Sequence, residues 1–133
     1  MSLQFWLAVL AYLVPTFPLG YFWHLKTFKR TYDELGVFRD EVIIPLGFGS
    51  MLLQALLFAW AFPHLMPTGP DNWLRGALGF FVFFGLLSWS FLVLPVAAKY
   101  RMTSVSRFLV LESAFVAVQF AIVSPLIALA YQF

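Results

Sequence analysis

The sequence contains 133 residues, of which 62% are hydrophobic and only 11% are charged. Soluble domains usually carry about 25% charged residues, so this composition excludes a soluble globular domain, a disordered chain and a nucleic-acid-binding domain. The absence of cysteine excludes disulfides, thiolate zinc sites and a cysteine nucleophile. The formal net charge of +2 is too small to indicate a polyanionic partner.

Four segments are long and apolar enough to cross a bilayer as helices. A crossing helix needs about 20 residues, because the hydrocarbon is ~30 Å thick and each residue rises ~1.5 Å. The predicted spans are residues 3–23, 42–62, 76–98 and 108–133, and they contain one charged residue, Glu112. We therefore predict an all-α integral membrane protein in which residues 1–133 form a single transmembrane domain. Its short connections favour an up-down four-helix bundle in the lipid bilayer.

The basic residues predict the orientation of these spans. The loop between the second and third spans contains a single basic residue, Arg75. The positive-inside rule places the loops rich in lysine and arginine in the cytoplasm. Both termini are then on the outer, periplasmic side of the plasma (inner) membrane. The seven basic residues on the predicted cytoplasmic side are Lys26, Lys29, Arg30, Arg39, Lys99, Arg101 and Arg107.

The first loop carries an apolar stripe at helical spacing, formed by Leu25, Phe28, Tyr32 and Leu35. This pattern predicts a short amphipathic helix after the first span, lying at the cytoplasmic interface. Gly36 is expected to end it, because glycine tolerates the left-handed conformation of a helix C-terminus.

Acidic and hydroxyl side chains predict where two later helices begin. Asp40 and Glu41 are expected to open the second membrane helix, since carboxylates complement the positive end of a helix. Ser104 or Ser106 is expected to cap the fourth.

Hydrogen-bonding side chains from all four spans are predicted to meet at one depth. Counted from the cytoplasmic ends, Gln54 and Gln119 lie ~16–18 Å deep, near the bilayer centre. Lipid cannot satisfy an amide, so these side chains should face inward and bond to one another. The layer is either structural, fixing how the helices pack, or a polar pocket for a small solute. Its predicted members are Tyr12, Thr16, Gln54, Ser88, Ser90 and Gln119.

Glu112 is the only acid within a span, ~7 Å from the cytoplasmic end of its helix. A carboxylate in this position is either a functional group or one half of a buried ion pair. Its candidate partners are His24, Lys26, Lys99 and Arg101.

Small residues recur along one face of the fourth span at steps of three and four. Such a seam lets two helices approach closely, either within the chain or across a homodimer interface. The seam consists of Ala114, Ala117, Ala121, Ser124 and Ala128.

No nucleotide-binding, serine-hydrolase or metalloprotease motif is present in the sequence. His24 and His64 lie at opposite membrane faces, ~30 Å apart, so they cannot share a metal. We predict no catalytic residue, metal or cofactor. The first hypothesis is an accessory or interaction subunit of a larger membrane complex. The alternatives are a homo-oligomeric transporter or pore that uses the polar layer, and a small lipid-acting enzyme with Glu112 and His24 as acid and base.

Overall fold

The computed structural model describes residues 2–132, and their regular structure is helical throughout. A π-helical turn, Trp23–Thr27, follows the first helix, and a 3₁₀ turn, Pro70–Asn72, precedes the fourth. The α-helices are α1 (Leu3–Phe22), α2 (Lys29–Leu35), α3 (Ile44–Leu65), α4 (Trp73–Leu92), α5 (Leu94–Lys99) and α6 (Val105–Ala130).

Four helical segments are long and apolar enough to cross a membrane, and they indicate a multi-pass membrane protein. The prediction of an all-α chain with four such segments is confirmed. Helix α6 ends at Ala130, and Phe133, the predicted end of the fourth span, lies outside the described residues, as does Met1. The single domain over residues 1–133 stays a prediction. The four segments are Leu3–Thr27, Ile44–Leu65, Pro70–Lys99 and Val105–Ala130.

Helix α6 packs along both α1 and α4, and α1 also packs along α3. Helices α3 and α4 meet through large aromatic side chains at the end away from α2. The rings of Phe58 and Phe80 are 5.2 Å apart edge to face, and those of Phe62 and Phe80 are 5.6 Å apart. Phe120 of α6 joins this cluster, with its ring 5.9 Å from that of Phe80. Edge-to-face rings contribute about 0.5–1.5 kcal/mol each beyond their burial.

The first half of α3 is less buried than the second. Every residue from Ile44 to Ser50 is exposed, whereas Ala55, Ala59 and Phe62 in the second half are buried. The ring of Phe48 meets that of Phe17 in α1 edge to face at 5.5 Å, and a space remains beside α1 and α6.

Helix α2 and the start of α6 lie at the same end of the molecule. The backbone N–H of Thr103 donates to the carbonyl of Leu35 at 3.1 Å, and Arg107 pairs with Glu34 at 3.3 Å. We call this end, which contains Lys26 and the other predicted cytoplasmic basic residues, the basic end.

The predicted helix after the first span is present as α2, but it does not continue α1 smoothly. The π-helical turn separates the two, and Phe28 is not helical. Tyr32 and Leu35 are buried, and Gly36 ends α2 with a left-handed φ of 73°, as predicted. The position of α2 at a membrane interface stays a prediction.

The helix starts agree with prediction at one position and differ at another. The hydroxyl of Ser104 accepts a hydrogen bond from the N–H of Arg107, so Ser104 caps α6 as predicted. The prediction that Asp40 and Glu41 open the second membrane helix is wrong, because α3 begins at Ile44. Pro45 lies in its first turn, where the fixed φ and missing N–H of proline suit a helix start without a side-chain cap.

The small-residue seam of α6 is not a single free face. Ser124 and Ala128 are buried inside the chain, whereas Ala117 and Ala121 are exposed and Ala114 is half-buried. Ser124 and Ala128 are therefore unavailable to a second copy, because α6 lies between α1 and α4 and uses them in its own packing. A homodimer through the remaining positions stays a prediction.

Candidate functional site

Tyr12 links the two glutamines near the middle of the helices. Its hydroxyl donates to Oε1 of Gln54 at 2.5 Å and accepts from Nε2 of Gln119 at 3.1 Å. This joins α1, α3 and α6, and both Tyr12 and Gln119 are buried. The structure thus brings together three of the six residues predicted for the polar layer, with a tyrosine between the amides.

The other three predicted residues do not bond to this network. Thr16 is buried one turn from Tyr12, but its hydroxyl has no hydrogen-bond partner among residues 2–132. Ser88 is half-buried, and Ser90 is exposed and donates to the carbonyl of Leu87 on its own helix. The expectation that Ser90 points inward is wrong, because a hydroxyl in a helix can be satisfied by the preceding turn.

Glu112, His24 and Tyr32 form a second polar cluster at the basic end. Oε1 of Glu112 lies 2.7 Å from Nε2 of His24 and accepts the hydroxyl of Tyr32 at 2.5 Å. The indole N–H of Trp23 in turn donates to the Tyr32 oxygen at 3.1 Å. Side chains from the π-helical turn, α2 and α6 therefore meet at one carboxylate oxygen.

The hydrogen bonds of His24 occupy both of its ring nitrogens. Nδ1 faces the carbonyl of Gly20 at 3.0 Å, and a carbonyl can only accept, so this contact needs the proton on Nδ1. Nε2 faces Oε1 of Glu112 at 2.7 Å.

Tyr32 is fixed as a donor to Glu112. Its side chain is fully buried and stacks on Phe38, with ring centroids 4.8 Å apart. Burial raises the pKa of the Tyr32 hydroxyl well above its ordinary value, and the hydrogen bond to Glu112 and the charge of that carboxylate raise it further. The hydroxyl therefore remains protonated and supports Oε1.

Of the four predicted partners of Glu112, only His24 contacts it. Lys26, Lys99 and Arg101 are exposed, and the ammonium of Lys26 lies 5.7 Å from the centre of the Tyr21 ring. These three candidates do not contact Glu112, because long basic side chains at helix ends extend toward water. Tyr32, which also contacts Glu112, is not among the four candidates, because its place in the apolar stripe predicted a position at the membrane interface.

A cavity of about 470 Å³ lies beside this cluster, and we call it the basic-end cavity. His24 and Glu112 line it, together with Gly20 of α1 and Gly47 of α3. It occupies the space left by the exposed first half of α3, and its volume is in the usual range for a small-molecule site. Its aromatic lining residues are Phe17, Tyr21, Phe38, Phe48, Tyr100, Phe108 and Phe115.

Glu112 lines this cavity, and one oxygen of its carboxylate makes no hydrogen bond within the described residues. Both hydrogen bonds of the carboxylate go to Oε1, and within residues 2–132 Oε2 has no hydrogen-bond partner. The side chain of Glu112 retains 14% of its exposure, and that of His24 17%. The site therefore offers an apolar, aromatic space with one unused acceptor.

A smaller polar pocket of about 290 Å³ adjoins the basic-end cavity and shares Tyr21, His24 and Phe38 with it. It is lined by two basic and two acidic side chains, so its charges balance. These are Lys29, Arg39, Asp33 and Asp40.

The described part of the chain contains no group of three histidine, aspartate or glutamate side chains placed to hold a metal ion. Comparisons with protein-family models, curated proteins and solved structures found no match for this chain. The geometry of the basic end is therefore the basis for a functional proposal.

Proposed function

We propose that this chain is a membrane protein that binds a small lipophilic molecule in the basic-end cavity. The observation that carries the proposal is the combination of about 470 Å³ of apolar, aromatic-walled space with one unused carboxylate oxygen. Ligand sites typically pair a mostly apolar lining with a few polar groups that orient the ligand. Here the apolar walls take the body of the ligand, and Oε2 of Glu112 takes its polar group.

The rim of the cavity supports entry from the side. Ile44, Phe48 and Leu92 line it and are exposed, and they belong to α3 and α4. A molecule dissolved among acyl chains can therefore reach the cavity between these helices. The proposed surroundings are a plasma membrane with the basic end in the cytoplasm, an up-down bundle, and α2 at the interface.

The polar layer gives less support to a pore or transporter at the membrane centre. Tyr12, Gln54 and Gln119 satisfy one another, and none of them lines the basic-end cavity. We propose that they fix the packing of α1, α3 and α6.

The proximity of His24 and Glu112 alone is a weak basis for an enzyme. A histidine that acts as a general base needs a free ring nitrogen facing the substrate. Here Nδ1 is bonded to Gly20 and Nε2 to Glu112. A binding role fits this geometry better than acid–base catalysis. The interaction-subunit hypothesis is compatible with ligand binding and stays a prediction.

Two glycines of α3 provide a matched test. A side chain added at Gly47 would enter the cavity, whereas Gly49 does not line it, and an added Cβ meets no atom within 4 Å at either position. We expect the wild-type protein and Gly49→Leu to retain one equivalent of 1-monooleoylglycerol in native mass spectrometry. Gly47→Leu should lose it. Equal retention by all three proteins, or no retention by any, would refute the proposal.

A further inference from the structure

We infer that the ligand of the basic-end cavity is a lipophilic cation, whose charge pairs with the carboxylate of Glu112. This inference rests on the proposed binding function and specifies the chemistry of its ligand. It draws on two features: the aromatic lining and the distribution of charged side chains.

Aromatic rings surround the cavity on several sides. Tyr21 comes from α1, Phe38 from the loop after α2, Phe48 from α3, and Phe108 and Phe115 from α6. The faces of aromatic rings carry partial negative charge and attract cations, including quaternary ammonium groups that cannot donate hydrogen bonds.

The charged side chains point to the same ligand class. Glu112 and His24 are the only ionisable acid and base among the cavity's lining residues, and no lysine or arginine of the described chain lines it. The nearest basic residues are exposed or belong to the charge-balanced polar pocket, where Lys29 pairs with Asp33 at 2.7 Å. An anion would therefore find no free partner, whereas a cation finds Oε2 of Glu112.

The test compares two ions of nearly the same shape and opposite charge, tetraphenylphosphonium and tetraphenylborate. Purified protein in a non-ionic detergent is dialysed to equilibrium against each ion, with empty micelles as the blank. We expect phosphonium to bind at least about tenfold more tightly than borate.

Glu112→Gln keeps a hydrogen-bond acceptor but removes the charge. It should weaken phosphonium binding at least about tenfold. Glu41→Gln, which removes an exposed acid outside both pockets, should bind as the wild type does. Retention of 1-monooleoylglycerol by Glu112→Gln shows that the variant is folded. If it is not retained, the wild-type comparison of the two ions decides the question.

The outcomes separate this inference from the proposed function. Equal binding of the two ions or tighter binding of borate would overturn the inference. If neither ion binds while 1-monooleoylglycerol is retained, the cavity binds neutral lipophiles and only the cation inference fails. If the protein binds none of the three probes, the proposed function fails as well.

Discussion

Replacing Tyr12 by phenylalanine tests the structural role of the polar layer. The substitution keeps the ring, whose contact with Phe58 is 5.1 Å between centroids, and removes only the hydroxyl. Two hydrogen bonds are lost, one to Gln54 and one from Gln119, and both amide groups remain in an apolar environment. Hydrogen bonds between membrane helices contribute about 0.6 kcal/mol on average and up to about 1.7 kcal/mol. The loss of two therefore predicts a decrease in the free energy of unfolding of about 1–3 kcal/mol.

The assay is unfolding of the purified protein in mixed micelles of rising dodecyl sulfate content, followed by circular dichroism. Ser90→Ala is the matched control, because that hydroxyl is exposed and bonds to its own helix; its effect should be within about 0.5 kcal/mol. Adding Gln54→Leu and Gln119→Leu to Tyr12→Phe should recover part of the lost stability, because neither amide is then left without a hydrogen-bond partner. A Tyr12→Phe variant as stable as Ser90→Ala would refute the structural role.

Three further predictions concern other parts of the chain. Gly76→Ala should lower the free energy of unfolding in the same micelle assay by about 1–3 kcal/mol, because the added Cβ would lie 2.6 Å from the backbone oxygen of Pro67. Gly49→Ala is its control: the added Cβ meets no atom within 4 Å, so this substitution should be neutral or stabilising. Tyr32→Phe should increase the labelling of Glu112 by a carboxyl-modifying carbodiimide, measured by peptide mass spectrometry. Unchanged labelling would contradict the conclusion that the Tyr32 hydrogen bond holds the Glu112 carboxylate in place. Because burial raises the pKa of Tyr32 above its ordinary value of 10.0, the unfolded chain loses this proton at lower pH than the folded one. Stability should therefore fall as the pH rises above about 10, and unfolding curves of Tyr32→Phe should show a smaller fall than those of the wild type.

The sequence was sufficient to place the two glutamines at one depth, because helix rise is constant and an amide cannot remain in lipid. The same counting was less informative for Ser90, since a hydroxyl can bond to its own helix and need not face inward. The difference lies in the number of hydrogen bonds that each side chain needs. An amide has donors and an acceptor that one helix cannot satisfy, whereas a serine hydroxyl can be satisfied locally.

The basic end was harder to predict because it depends on an irregular backbone. The periodicity of Leu25, Phe28, Tyr32 and Leu35 assumed one continuous helix after the first span. The π-helical turn at Trp23–Thr27 and the non-helical Phe28 separate α2 from α1, and Tyr32 of α2 contacts Glu112 of α6. The acid and its histidine partner could be predicted from charge and depth. The tyrosine depended on a turn type that hydrophobic spacing does not reveal.

The polar layer and the basic-end cavity have complementary positions along α3. Gln54 holds the middle of this helix against α1, and Phe62 holds its far end against α4. Gly47, in the first half of the helix, lies in open space, because a Cβ added there would meet no atom within 4 Å. A substitution at Gly47 should change ligand binding with little effect on stability, whereas Tyr12→Phe should change stability while the cavity lining stays intact. This separation allows the binding proposal to be tested without unfolding the protein.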